Sequence, residues 1–186
     1  GSKRASENTK ATNLANNLIV IRSPGKNLSN GILRFRNFAW PCLLGKNGIT
    51  VLKKEGDCKT PAGSYPLLFA FHNKERISYI RSKLPIRAIR ADDGWCDDPA
   101  NANYNRAVTL PFSASHETLL REDHLYDLIV VMDHNYSRRI NGRGSAVFFH
   151  LIDKKDYTAG CVAVPHKVMQ FLLPQITTNT RMIIKP

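Results

Sequence analysis

The segment AVFFHLIDKKDYTAGCVAVP, residues 146–165, opens with an apolar, aromatic run typical of a buried strand and closes just beyond a cysteine. His150 ends the apolar run, a polar loop follows, and Cys161 stands between Gly160 and Val162. A strand, a loop and a return of the chain can bring the imidazole and the thiol together. From the residues alone two interpretations stay open: a core histidine with a core cysteine, or a cysteine nucleophile with a histidine base.

Segments with the same strand-like character recur along the chain, bounded by Gly, Asn and Pro. Strands are predicted over residues 17–22, 31–37, 38–44, 64–72, 85–90, 106–112, 126–134 and 144–152, with a last one in RMIIKP. Helices are predicted over residues 73–84, 113–123 and 165–176. Many short strands with sparse helices predict a mainly β sandwich or barrel with a few short helices.

The 186 residues are expected to form one domain, because the sequence shows no internal repeat and no linker that would split it. Residues 1–15 are polar and basic, so we expect a flexible arm there and a single domain over residues 16–186. Gly1 and Ser2 look like the remnant of an expression tag, and we expect a signal peptide to have been removed. No apolar run approaches the ~18 residues that cross a membrane, so no transmembrane segment is predicted.

The net charge of +12 is concentrated near the amino terminus, where residues 1–54 carry ten Lys and Arg but a single acid, Glu7. This imbalance is compatible with nucleic acid, a cell-wall polymer or an anionic membrane surface as a partner, and equally with a solvated surface. No zinc-finger spacing, RNA-binding aromatic motif or basic helical run is present. A nucleic-acid partner is therefore not predicted, although a basic nucleic-acid binder stays an alternative.

The four cysteines, Cys42, Cys58, Cys96 and Cys161, are too few for a disulfide scaffold, and none belongs to a CxxC pair. This pattern argues against zinc-ribbon and thioredoxin-type sites, and the sequence predicts no metal site. If Cys161 must remain a thiol, at most one disulfide can form among the other three.

A cysteine nucleophile needs a base within hydrogen-bond reach and surroundings that favour the thiolate. His150 is the candidate base, and we expect its imidazole close to the sulfur, with some slack in the absence of substrate. Gly160 permits a sharp turn, and the N–H groups of Gly160 and Cys161 are expected to face a developing oxyanion. A helix beginning near Pro165 is expected to favour the thiolate through its positive end.

Motifs in this sequence resemble those of one enzyme family. The segment from His150 through TAGCVAV resembles the catalytic signature of the YkuD-type L,D-transpeptidases, in which a His and a loop precede a Ser/Thr-x-Gly-Cys element. Upstream, GDCKTPAGSYPL (residues 56–67) resembles the family's Thr-Pro-x-Gly-x-aromatic element, and DDGWCDDPANANYNR (residues 92–106) resembles a segment of one branch. The resemblance covers roughly residues 18–186.

The resemblance implies a YkuD-like β fold and a peptidoglycan L,D-transpeptidase in the periplasm or cell envelope of a bacterium. Cys161 would attack the L,D-bond of a tetrapeptide stem, His150 would move the proton, and an amine would take the acyl group from the thioester. Peptidoglycan stem peptides are the implied donor and acceptor, and no cofactor is required. Water as acceptor would make the enzyme an L,D-carboxypeptidase or endopeptidase, and a non-catalytic peptidoglycan-binding module is a further alternative.

The sequence departs from the family pattern on both sides of the cysteine. Ala159 stands where a His is usual, Ala163 stands where Asn or Arg is usual, and the His-to-Cys loop is short. Polar groups that help to hold substrate in the family are therefore missing, which leaves the acceptor open between a stem amine, a protein lysine and water.

The segment DDGWCDDPANANYNR offers polar groups in place of those that are lost. We expect Trp95 to contact the stem peptide, and Asp97 or Asp98 to attract the ammonium group of diaminopimelate. The alternative is a capped surface turn with solvated acids, far from Cys161. The candidate substrate-binding residues are Thr158, Trp95, Asp97, Asp98, Tyr104, Asn105 and Arg106.

Overall fold

The computed structural model describes residues 16–186, and the predicted flexible arm over residues 1–15 lies outside this range. In chain order the strands are β1 (Leu18–Arg22), β2 (Asn30–Phe35), β3 (Phe38–Leu43), β4 (Ile49–Thr50), β5 (Thr60–Pro61), β6 (Gly63–His72), β7 (Ile86–Ala88), β8 (Asp93–Cys96), β9 (Arg106–Thr109), β10 (His116–Thr118), β11 (Leu128–Met132), β12 (Phe148–Leu151), β13 (Val162–Val164) and β14 (Arg181–Ile184). One helix lies in the described range, α1 (His166–Leu172). The mainly β fold predicted from the sequence is confirmed.

A nine-stranded sheet forms the body of the described domain, in the order β11-β12-β13-β3-β2-β1-β14-β6-β7. Strand β11 also pairs with β6, and this additional pairing closes the sheet into a barrel. A three-stranded sheet, β10-β8-β9, packs on the outside of the barrel, and β4 pairs with β5 in a short ladder. Closure protects strand edges that would otherwise be free to pair with another chain.

Strand β11, with the sequence LIVVM, is buried on both faces. Leu128, Val130 and Met132 belong to the barrel core, whereas Ile129 and Val131 belong to a second apolar cluster beneath the small sheet. The strand is a continuous apolar run because each of its faces meets a different packed layer.

The same alternation on β12 and β13 sends the two candidate catalytic residues to the outer layer. Phe149 and Val162 lie in the barrel core, while Phe148 and Cys161 pack in the second cluster. His150 follows Phe148 by two residues, so its side chain shares the outer face of the strand. Any site built on these residues must therefore lie between the barrel and the small sheet.

Helix α1 follows Pro165 and packs Met169 and Leu172 into the barrel core. The helix predicted over residues 165–176 is confirmed, although it ends at Leu172. No helix among residues 16–186 has the length and apolar character needed to span a bilayer.

Two other helix predictions are wrong. Residues 73–84 form turns, the first of which is closed by hydrogen bonds to the Asn73 carbonyl. The segment predicted as a helix over residues 113–123 is a loop that contains β10, in which Glu117 lies opposite Trp95 of β8. Cross-strand pairing with the strand that carries Trp95 outweighs the local helix preference of this segment.

Candidate active site

A cleft opens between the outer face of the barrel, the small sheet and the loops that precede β5 and β13. Its cavity measures about 290 Å³, at the small end of the range for ligand sites. All three catalytic candidates, His150, Gly160 and Cys161, line it. The charged side chains on its walls include Lys53, Glu55, Asp97, Glu117 and Arg121.

Strand pairing brings His150 and Cys161 to one face of the barrel. Strands β12 and β13 run parallel, with His150 opposite Ala163. Cys161 precedes Ala163 by two residues, so it lies on the same face and diagonally across from His150. The short polar loop between the two residues is therefore long enough to place both in one cleft.

Backbone groups hold the sulfur of Cys161. Its S–H donates to the carbonyl oxygen of Ala146 (3.2 Å), and its sulfur accepts from the N–H of Phe148 (3.3 Å). No hydrogen bond joins the sulfur to the imidazole in the described part of the chain, so the close approach expected of the two groups stays a prediction. The strand register explains this, since His150 faces Ala163, and such contacts often tighten only when substrate binds.

His150 is a buried, uncharged base. Its Nδ1 donates to the carbonyl oxygen of Leu151 (2.8 Å), which leaves Nε2 as the acceptor nitrogen of the neutral ring. Burial lowers the pKa of the imidazole to about 4, so the ring carries no charge at neutral pH. The ring of Tyr126 meets the imidazole edge-on, with centroids 5.4 Å apart. A neutral imidazole held in this tautomer can accept the proton of a thiol at Nε2.

Cys161 rests as a neutral thiol. Burial raises its pKa to about 12, and the nearby carboxylate of Glu117 adds to the increase. The N–H of Phe148 and the ammonium group of Lys53 oppose the shift without reversing it. The expected support from the helix end is corrected, because β13 separates Cys161 from α1 and the helix packs in the barrel core.

A tight turn precedes Cys161. Gly160 has φ +144°, and a Cβ at this position would lie 2.8 Å from the carbonyl oxygen of Lys59. Thr158 Oγ1 accepts the N–H of Gly160 (3.0 Å) and donates to the carbonyl oxygen of Cys161 (2.7 Å). The Gly160 N–H is thus already bonded, which corrects its expected role toward an oxyanion. Thr158 lines the cleft but shapes the turn, and its contact with substrate stays a prediction.

The match to a family covers nearly the whole described domain. The YkuD family, described as the L,D-transpeptidase catalytic domain, matches residues 16–184. The chain belongs to the YkuD family. Members of this family are cysteine-dependent peptidoglycan transpeptidases.

Similarity to a solved structure is more distant. A chain titled "Structure of Bdellovibrio bacteriovorus Bd1075" is 17% identical to this YkuD domain, with a TM-score of 0.44. The match covers 90% of this chain and 47% of that chain, so the sequence spans about half the length of the matched protein. No curated protein sequence matches the chain.

A buried amide supports the cleft of the YkuD domain from behind. Asn105 Oδ1 accepts hydrogen bonds from Trp95 Nε1 (2.9 Å) and from the N–H of Ala146 (3.0 Å), and Asn105 Nδ2 donates to the carbonyl oxygen of Asn135 (2.6 Å). Ala146 has φ 50°, a left-handed conformation rare for a residue with a Cβ, and its carbonyl holds the Cys161 sulfur. Asn105 thus positions the Cys161 sulfur through the backbone of Ala146.

The structure places three predicted substrate contacts in the core. Trp95, Tyr104 and Asn105 are at most 2% exposed and do not line the cleft. Trp95 packs edge-on against Phe148, with ring centroids 5.0 Å apart. The expected direct contacts of these side chains with the stem peptide are corrected, because each is covered by the second apolar cluster or by the loops around it. They build the wall behind the cleft.

The remaining residues of this segment divide between surface and cleft. Asp98 accepts the N–H of Ala100 (2.9 Å) in a capped turn, and Arg106 stacks its guanidinium 4.4 Å from the Tyr136 ring centroid. Neither lines the cleft, which corrects their expected contacts with substrate. Asp97 does line it, and its Oδ1 is buried without a hydrogen-bond partner among residues 16–186. The role of Asp97 toward an ammonium group stays a prediction.

Two cleft carboxylates were not predicted from the sequence. Glu55 accepts hydrogen bonds from the hydroxyls of Tyr104 (2.7 Å) and Ser145 (2.6 Å). Glu117 accepts one from the hydroxyl of Tyr126 (3.1 Å). Glu55 could have been predicted as a cleft residue, because it directly precedes the GDCKTP motif. Glu117 could not, because it reaches the cleft only through the non-local pairing of β10 with β8.

Burial raises the pKa of Glu117 to about 7, and the carboxylates of Asp97 and Glu55 add to the increase. The Tyr126 hydroxyl and the Arg121 guanidinium act in the opposite direction. Glu117 therefore changes its charge near neutral pH, within the cleft that holds the neutral thiol.

Replacing Asn105 by Ala should lower the free energy of unfolding by about 1–3 kcal/mol, because the Trp95 indole N–H and the Ala146 N–H would lose their buried acceptor. Urea unfolding followed by tryptophan fluorescence measures the change. The exposed neighbour Asn103→Ala is the matched control and should unfold at the wild-type urea concentration. Equal stability of the Asn105 and Asn103 variants would contradict the supporting role of the amide.

Replacing Glu117 by Gln should stabilise the domain at pH 8 but not at pH 4. The folded pKa lies above the unfolded value of 4.5, so the stability linked to protonated Glu117 is complete below pH 4.5 and is lost as the pH rises through 7. Thermal unfolding should show a gain in Tm at pH 8 of roughly 2–4 °C, the shift that ~1 kcal/mol gives in a domain of this size. Exposed Glu122→Gln should show no such pH-dependent difference, and a gain at pH 4 as large as at pH 8 would contradict the assignment.

Proposed function

We propose that this YkuD domain is a peptidoglycan L,D-transpeptidase of the periplasm or cell envelope, with Cys161 as nucleophile and His150 as base. The observation that carries the proposal is that Cys161 and His150 line one cleft in a chain that belongs to the YkuD family. Tetrapeptide stems of peptidoglycan are the proposed donor, and an amine is the proposed acceptor. Retention of both the thiol and the imidazole speaks against a module that only binds peptidoglycan.

In the first half-reaction, His150 Nε2 takes the proton of Cys161 as the sulfur attacks the carbonyl carbon of the L,D-bond. The pair starts without charge, so proton transfer and attack are coupled, and no thiolate has to persist in the buried cleft. The protonated imidazole then returns the proton to the nitrogen of the leaving D-alanine as the C–N bond breaks. The product is a thioester between the stem peptide and Cys161.

In the second half-reaction, an amine attacks the thioester, the C–S bond breaks, and the thiol of Cys161 is restored. The open Oδ1 of Asp97 is the proposed partner for the ammonium group of diaminopimelate in the donor stem. Its position on the cleft wall and the lack of a partner within the described residues support this role.

Hydrolysis of the same thioester is the second candidate activity. Ala159 and Ala163 line the cleft at the positions where the family commonly carries polar side chains. Their methyl groups cannot hold an acceptor amine by hydrogen bonds, which favours water more than in other members. An L,D-carboxypeptidase or endopeptidase would use Cys161 and His150 in the same roles.

Incubation with a purified tetrapeptide stem should add to the protein the mass of the stem without its terminal D-alanine. Cys161→Ala should form no adduct, because the attacking sulfur is gone. His150→Ala should form the adduct ~10²–10⁴-fold more slowly, the usual contribution of a general base. Intact-protein mass spectrometry measures the adduct, and muropeptide analysis separates the amine-transfer product from the hydrolysis product.

Cys58→Ala is the matched control, since this thiol also lines the cleft but has no base assigned to it. It should acylate at the wild-type rate. An adduct mapped to Cys58, or a His150→Ala variant with the wild-type rate, would contradict the assigned roles. Binding of the stem without any adduct on the wild-type protein would favour the non-catalytic module.

A further inference from the structure

Glu117 lies on the cleft wall formed by the small sheet, beside the catalytic pair. Its one side-chain hydrogen bond within residues 16–186 comes from the Tyr126 hydroxyl (3.1 Å). The Tyr126 ring in turn packs edge-on against His150, with centroids 5.4 Å apart. A single aromatic side chain thus separates the carboxyl group from the imidazole, and the second carboxyl oxygen of Glu117 carries no bond from another side chain of the described range.

Among residues 16–186, the charged neighbours of Glu117 leave its carboxyl group without a direct ion-pair partner. Arg121 is engaged by the carboxylate of Asp123, through Nε (2.9 Å) and Nη2 (2.7 Å), and lies over the Tyr126 ring. Glu55 is held by two hydroxyl groups and, like Asp97, adds negative charge around Glu117. A cation that enters this side of the cleft would therefore meet a carboxyl group whose affinity for protons has been raised by its surroundings.

The proposed amine transfer needs more than one proton acceptor. An acceptor amine in water at neutral pH is an ammonium ion with three protons, and its nitrogen keeps one proton in the amide product. One of the other two protons restores the thiol of Cys161 through His150. The remaining proton must leave first, before the nitrogen can attack, because an ammonium nitrogen has no lone pair.

We propose that Glu117 is a further catalytic residue, which binds the ammonium group of the acceptor and takes its first proton. The Glu117 carboxylate and the ammonium ion become a carboxylic acid and a neutral amine, and the amine lone pair then forms the C–N bond as the thioester C–S bond breaks. His150 carries the second proton from nitrogen to sulfur, and Glu117 afterwards releases its proton to solvent. This proposal rests on the proposed function, since it concerns the fate of the acyl-enzyme.

The same role makes Glu117 a determinant of the choice between amine and water. Water arrives with its lone pairs available and has no positive charge to attract to a carboxylate, so hydrolysis needs only His150. Loss of the Glu117 carboxylate should therefore slow amine transfer and leave hydrolysis in place. A residue that merely supported the fold would affect both reactions alike.

The test uses the full chain and compares wild type with Glu117→Gln, which keeps the size of the side chain and an oxygen acceptor for Tyr126. Acyl-enzyme is first formed from the tetrapeptide stem, and its decay to amide and to acid is followed by mass spectrometry with a diaminopimelate-containing stem as acceptor. In the variant, amide formation should fall ~10²–10⁴-fold relative to hydrolysis of the same acyl-enzyme, a comparison that does not depend on how fast the acyl-enzyme forms. Glu122→Gln, on the exposed loop beside Arg121, is the matched control and should behave as wild type.

A second acceptor distinguishes a role of Glu117 as a base from a purely structural role. Hydroxylamine is uncharged at neutral pH and needs no prior deprotonation, so its transfer by Glu117→Gln should match wild type. Equal loss with both acceptors, or no loss with the ammonium acceptor, would overturn the role of Glu117. If the wild-type acyl-enzyme forms but is transferred only to water, Glu117 is not a base for an acceptor amine, whereas the proposed acylation of Cys161 is supported. If no acyl-enzyme forms, the proposed function itself fails.

Discussion

The buried side chain of Asn105 joins the parts from which the cleft is built. One amide oxygen accepts from the Trp95 indole of the small sheet and from the backbone of Ala146, and the amide nitrogen ties in the loop at Asn135. Because the carbonyl of Ala146 holds the Cys161 sulfur, the position of this sulfur depends on the amide. Both Asn105 and Ala146 have positive φ, and such backbone strain persists only where the surroundings enforce it.

The electrostatics of the cleft follow from its burial. The thiol and the imidazole are both driven to their uncharged forms, and Glu117 is shifted toward its protonated form. Burial therefore suppresses charge in the cleft when no ligand is bound. A ligand with an ammonium group would bring in a positive charge, which the carboxyl groups on the cleft wall can bind. The carboxylates on the small sheet and at Glu55 give one side of the cleft a negative character, opposite to the positive net charge of the chain.

Local patterns predicted the strands, because the alternation of apolar residues fixes which face of each strand is buried. The strand and loop from His150 to Cys161 predicted that the two side chains could come together, whereas their roles as base and nucleophile were predicted only from the resemblance to the YkuD family. Strand β10 and the contribution of Glu117 escaped prediction, because pairing with Trp95 depends on the packing of distant segments. Trp95 and Asn105 were predicted as substrate contacts, and the packed structure shows instead that they support the cleft wall from within the core.

The central claim is that Cys161 and His150 rest as an uncharged pair, and the pH dependence of Cys161 alkylation tests it most directly. Iodoacetamide labelling of the free enzyme, with Cys161 quantified by peptide mass spectrometry, gives the fraction of thiolate at each pH. The buried thiol should react slowly at neutral pH, and its rate should still be rising with pH above the ordinary thiol pKa of 9.0. A fast rate that reaches its plateau below pH 7, as a thiolate–imidazolium pair would give, would contradict the claim.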